Sequence, residues 1–221
     1  MFLKNFLLSY VLLFCACTSF THAETDADLM ASGQWRDPKT GLIWLKCGVG
    51  QKLVGSLCVK SDVNKDSLIK AIKNNIDGDL YSTDDDSYLF TYKQAKQLIL
   101  YLNNQKLKGS NKWRLPTVFE LAALRQCSNY SEEISEIWQE KRIGSLPFKC
   151  EDSNIVFPAI FPVKPQAWGW ADLPTWTSTP AGVSSKYGNP VSVGWTISTS
   201  KGFIQEYNLS ASQNIFLVRS E

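Results

Sequence analysis

Trp113-Arg114-Leu115-Pro116-Thr117-Val118-Phe119-Glu120 is the stretch that orders the rest of the chain. Pro116 biases Leu115 toward extended backbone. Thr117, with Glu120 three residues on, spells a capping box, so an extended segment gives way to a helix at Thr117. Trp113 is a large body for a core, and Arg114 is suited to pair a buried carboxylate or to hold loop carbonyls. The motif residues Trp113, Arg114, Pro116, Thr117 and Glu120 therefore read as scaffold, with Phe119, Leu121 and Leu124 expected to face the core.

Upstream, a second capping box (Thr91, Gln94) opens a helix with Ala95, Leu98, Ile99 and Leu102 at helical spacing, ending near Asn103-Asn104. A shorter helix is expected from Asp66 to Asn75, with Leu68, Ile69 and Ile72 on one side. Gln34-Trp35-Arg36, the turn Asp37-Pro38-Lys39-Thr40-Gly41 and Leu42-Ile43-Trp44-Leu45 read as a β-hairpin. Downstream, a third helix is expected from Ser131 to Glu140. Beyond Cys150 aromatics, Pro, Gly, Ser and Thr dominate, and strands are expected at Thr175–Thr179, Val191–Ile197, Phe203–Tyr207 and Ile215–Arg219. Helices in the middle and strands at both ends predict an α+β fold. In it, two or three helices pack on a twisted antiparallel sheet formed by the N- and C-terminal strands.

The first 23 residues read as a cleaved export signal. Lys4 precedes an apolar run from Phe6 to Phe20, too short to span a ~30 Å hydrocarbon core comfortably, and Thr21-His22-Ala23 offers small residues where a leader peptidase reads. The rival reading is a lipoprotein acylated at Cys17, after Phe14-Cys15-Ala16. Residues 24–33 are polar and expected to be flexible, and residues 34–221 are expected to form one domain with no transmembrane segment. Four of the six cysteines remain in the processed chain: Cys47, Cys58, Cys127 and Cys150. An even number in an exported chain reads as two disulfides. Local pairing, Cys47 with Cys58 and Cys127 with Cys150, is the simplest of the three connectivities, each bridge stabilising by roughly 3 kcal/mol.

Processing also removes His22, the only histidine in the chain. That takes away the base of Ser-His-Asp and Cys-His hydrolases and the commonest transition-metal ligand, so the chain reads as a binder with no catalytic residue and no cofactor. A net charge of +2, one less after Lys4 is lost, argues against nucleic acid. Charge placement says more. Residues 91–119 carry Lys93, Lys96, Lys106, Lys108, Lys112 and Arg114 and a single acid, Glu120, follows only beyond them. Such a run attracts sulfate or carboxylate groups over about a Debye length, ~8 Å at physiological salt. Trp168 and Trp170, flanking Gly169 in a Pro-rich stretch, are the aromatic pair best placed to stack on sugars. The candidate ligand-binding set is thus Lys106, Lys108, Lys112, Trp168 and Trp170. The acidic stretch Asp77–Asp86 breaks the EF-hand alternation at its third ligand, and no metal site is assigned to it.

Gly41-Leu42-Ile43-Trp44, Cys47…Cys58, the Thr91-capped helix, Trp113-Arg114-Leu115-Pro116-Thr117 with Glu120-Leu121, Phe157-Pro158-Ala159-Ile160-Phe161-Pro162, Trp176-Thr177-Ser178 and Val218-Arg219 occur in this order. The set resembles the Lcl C-terminal domain family of exported bacterial proteins over roughly residues 34–219, with residues at about 59–89 as an insertion. The resemblance implies a disulfide-stabilised fold related to C-type lectins and formylglycine-generating enzymes. It also implies adhesion: in a collagen-like adhesin this domain binds sulfated glycosaminoglycans and assembles as a trimer. The chain has no collagen region, no Glu-Pro-Asn or Gln-Pro-Asp calcium-lectin tripeptide and no oxidase cysteine pair. The expectation is an exported lectin-like domain for an anionic or sulfated polysaccharide, with homo-oligomers open. The alternative is a protein-interaction component of the bacterial envelope or a surface appendage, bound to an envelope or host surface protein without a glycan.

Overall fold

The hairpin expected at Asp37–Gly41 forms where the turn chemistry demands it. The computed structural model describes residues 24–55, 57–62, 66–79, 81–82, 88–124, 174–185, 188–198 and 204–221. Strand β1 (Gln34–Arg36) pairs with β2 (Ile43–Leu45), Trp35 opposite Trp44. Gly41 N–H donates to the Asp37 carbonyl at 2.8 Å and takes φ +71°, a left-handed geometry that glycine adopts without a Cβ penalty. On its other side β2 pairs with a strand from the far end of the chain, Val218–Arg219. The N- and C-terminal strands do meet.

The remaining C-terminal strands form a sheet of their own. Between β2 and that last strand come two short ribbons, β3 (Gln51–Val54) with β4 (Leu57–Lys60) and β5 (Tyr81–Ser82) with β6 (Tyr88–Leu89). Then β7 (Pro174–Ser184), β8 (Val191–Ser198) and β9 (Ile204–Asn208) form a separate antiparallel sheet, and Val218–Arg219 is β10. The expected strand at Ile215–Arg219 is cut to its last two residues, although Ile215 and Leu217 carbonyls still accept from Val49 and Leu45. An isolated bridge, Thr175 to Asn214, ties the second sheet to the segment that leads into β10, with no continuous ladder between the two sheets. The physical reason is burial. Thr175, Trp176, Thr177, Thr196, Ile197 and Ser198 are all buried, so both faces of this end of the second sheet are covered and it sits inside the molecule as its own layer.

Four helices are described: α1 (Asp26–Ala31), α2 (Ser67–Asn75), α3 (Tyr92–Asn104) and α4 (Val118–Ala123). The last three fall where caps and periodicity predict them, Asp66, Thr91 and Thr117 each accepting from the first-turn N–H groups. Helix α1 corrects the expectation of a flexible 24–33. Thr25 and Asp28 close a capping box, and Leu29 is fully buried, an anchor that a mostly polar stretch disguised. Residues 66–76 of the expected insertion also enter the core through Ile69, Ile72 and Ile76.

The core has two lobes. One gathers α2, α3, Leu29, Trp113 and Trp176; the other gathers α4 with Trp44, Trp195 and Ile197. Trp176 packs edge-on to Tyr92, with ring centroids 5.4 Å apart, and donates its indole N–H to the Phe90 carbonyl at 2.8 Å. Phe119 departs from expectation. With Val118, Leu121 and Ala122 turned inward, the ~100° step per residue carries Phe119 to the outer side, where it is 45% exposed. Cys47 and Cys58 form the expected local disulfide, Cα atoms 5.5 Å apart. Cys127, Cys150 and the helix expected at Ser131–Glu140 lie outside the described residues.

Candidate functional site

Helix α3 ends at Asn104, and its last turn shapes the loop that follows. Asn103 accepts from the Trp113 N–H and donates to the Trp113 carbonyl, both at 2.8 Å, so one side chain grips both backbone groups of that residue. The Trp113 indole N–H then reaches back to the Leu107 carbonyl at 2.7 Å. These three bonds close residues 105–112 into a tight excursion around a 3₁₀ turn at Leu107–Gly109. The tightness costs backbone freedom. Lys106 (φ 50°) and Lys108 (φ 51°) adopt left-handed conformations, and among the described residues they are the non-glycine residues that do so. For a side chain with a Cβ this costs roughly 1 kcal/mol apiece, and such strain concentrates at binding loops.

The structure sorts the expected basic run into occupied and available groups. Lys93 Nζ lies 3.1 Å from Asp77 Oδ2. Gln97 first, then Lys93, holds the Asp77 carboxyl below the usual carboxylate range. Lys96 sits over the Tyr92 ring, 4.8 Å from its centroid. Lys112 Nζ donates to the Glu221 carbonyl at 2.5 Å. Among the described residues, Lys106 and Lys108 are exposed and have no carboxylate partner. The three predicted lysines share one loop, and Lys112 stands at its rim with a partner already engaged. Trp168 and Trp170 lie outside the described residues.

Arg114 pairs with the glutamate that caps α4. Its guanidinium makes two 2.7 Å bonds to the Glu120 carboxylate, and Glu120 also accepts from the Thr117 N–H at 2.7 Å. Burial pushes the Glu120 carboxyl up; its bonds to Arg114 and Thr117 more than offset this and hold it below its ordinary value. The strand β7 locks this corner: Ser178 N–H donates to the Pro116 carbonyl and Thr179 Oγ1 accepts from Val118 N–H.

Sequence reasoning missed what flanks Lys112. A pocket of about 230 Å³ is lined by Glu24, Lys108, Lys112, Arg219 and Glu221. Arg219 bonds Glu24 and Gln34 and lies 5.4 Å over the Trp113 ring, while Arg36 pairs with Asp26 and Glu221. Partners separated by more than a hundred positions leave no local signal. Among the described residues, no cluster of three His, Cys, Asp or Glu could hold a metal, and no helix is long and apolar enough to cross a membrane.

Beside exposed Lys108 the same pocket is lined by Glu24 and Glu221. No curated protein matches the chain. The profile of the Lcl C-terminal domain matches residues 33–219, and the chain belongs to that family.

Proposed function

We propose that the chain is an exported, lectin-like adhesion domain for an anionic or sulfated polysaccharide at the cell surface, a binder rather than an enzyme. Family membership supports export and a surface role. It also makes kinship with C-type lectins the natural reading of this mixed fold. The observation that carries the ligand class is the strained presentation of Lys106 and Lys108: two bare ammonium groups held outward on a loop clamped by Asn103 and Trp113. Exposed cations on a fixed frame recognise spaced sulfates or carboxylates with little ordering cost. Trp168 and Trp170 are the proposed aromatic partners for sugar faces.

Heparin chromatography of the processed chain tests the reading. Retention should fall steeply between about 50 and about 500 mM salt, because the contacts are exposed and screened. Replacing Lys106 and Lys108 by Ala should abolish most of it. Adding Lys112→Ala should matter less, since that ammonium is already engaged. Retention unchanged in the triple variant would reject the site.

A further inference from the structure

Asn208-Leu209-Ser210 is an Asn-x-Ser tripeptide with no proline at its centre, the acceptor pattern for N-linked glycans in exported chains. One other, Asn129-Tyr130-Ser131, lies outside the described residues. An acid, Glu206, stands two positions before Asn208, whereas Cys127 stands two before Asn129. A charge at that place gives a transferase a means to tell the two apart. Asn208 ends β9, an edge strand, and the chain turns at once: Ala211 N–H donates to the Asn208 carbonyl at 2.8 Å. Leu209 holds this turn in place. Its N–H donates to the Ser192 carbonyl and its carbonyl accepts from Tyr92 N–H, both at 3.1 Å, while its side chain packs on the first core lobe. Asn208 is half-buried and Ser210 is exposed, on a frame fixed from behind.

The side-chain geometry suits an acceptor. Asn208 Oδ1 accepts from both the Ser210 N–H and the Ser210 hydroxyl, each at 2.9 Å. A backbone N–H only donates, so its bond fixes which carboxamide atom is oxygen and which is nitrogen. Nδ2 makes no hydrogen bond among the described residues. We propose that the folded, exported chain carries an N-linked glycan on Asn208. The donor is an oligosaccharide carried on a lipid pyrophosphate, and a membrane transferase supplies the catalysis. Nδ2 bonds to the anomeric carbon as that carbon's bond to the pyrophosphate oxygen breaks. The lipid pyrophosphate leaves with the electron pair, and one amide proton passes to a base of the transferase. Through Tyr92 the site lies at the N-terminal end of α3, while the lysine loop follows the other end. Thirteen helical residues span about 20 Å, so a glycan on Asn208 leaves Lys106 and Lys108 open. The inference rests on the export in the proposed function and makes no use of the polysaccharide site.

The purified, processed chain is incubated with a bacterial oligosaccharyltransferase and a lipid-pyrophosphate oligosaccharide of known mass, then read by intact mass and peptide mapping. The native chain should gain one glycan mass, on the peptide that holds Asn208. Asn208→Gln and Ser210→Ala should each gain none, and Asn129→Gln should leave the gain intact. If Asn208→Gln melts abnormally, peptide mapping of the native chain locates the glycan without it. The proposal fails if the folded native chain gains no glycan, if the gain maps to Asn129, or if Asn208→Gln gains it equally. Transfer in the tube needs no export, so the two readings fail separately. Bare Asn208 in a chain that its host has exported overturns glycosylation and leaves adhesion standing. Chain recovered from its host with residues 1–23 still attached overturns export, and with it glycosylation in the cell, even where transfer in the tube succeeds.

Discussion

Two lysines in left-handed backbone set binding against stability within single residues. Glycine at Lys108 would shed the Cβ conflict, while its extra freedom in the unfolded chain returns part of the gain. Lys108→Gly should therefore raise stability modestly, by up to about 1 kcal/mol in urea unfolding, yet lose heparin retention. A variant both less stable and fully retained would contradict the strained-presentation account. Glu120 makes a different single-residue prediction. Its carboxyl is held below its ordinary value by Arg114 and Thr117, so it contributes stability that is complete above the ordinary value and lost as pH falls through the lower, folded value. Urea midpoints measured from about pH 7 down to about pH 3 should show a smaller acid loss in Glu120→Gln than in the native chain. At neutral pH the variant should be weaker by about 1 kcal/mol, the usual worth of a cap and its partner. Because the Arg114 side chain is 42% exposed, salt should blunt part of that difference.

At the scale of elements, what could be read ahead of time follows the range of the forces involved. Caps and turns act over three or four residues. Thus Thr91, Thr117 and the Asp37–Gly41 turn announced their elements, the spacing of Leu68, Ile69 and Ile72 announced α2, and α2, α3, α4 and the first hairpin lie where expected. The lysine loop was legible as a run of charge, whereas its left-handed geometry was not, because Asn103 and Trp113 impose it from ten positions apart. Helix α1 hid for another reason: its single buried contact, Leu29, cannot show a period. The structure makes it an anchored element, and Leu29→Ala tests that. A fully buried leucine cut to alanine costs about 2–5 kcal/mol, whereas a frayed segment would lose almost nothing. Thermal melts and urea curves of the processed chain decide between these outcomes.

Over the whole molecule, the partition into two sheets was invisible because it depends on which strand sits in the middle. Val218 pairs with Trp44 on one side and exchanges two backbone bonds, at 2.9 and 3.0 Å, with Arg114 on the other. The chain's last strand is thereby inserted between its first hairpin and the motif that opens α4. Arg219 continues the same seam to Glu24, Gln34 and the face of Trp113. A chain stopped at Leu217 would leave β2 and the Arg114 segment with unpaired edges, strip a fully buried valine from the second core lobe and release Glu24. Each lost backbone bond is worth about 1 kcal/mol and the valine about 2 kcal/mol, with unpaired buried groups adding more. Together these approach the 5–15 kcal/mol that a domain has in total. The truncated chain should therefore show no cooperative melt by near-ultraviolet circular dichroism, even with its Cys47–Cys58 disulfide formed. A melt within a few degrees of the native one would mean that the two halves hold together without the C-terminal strand.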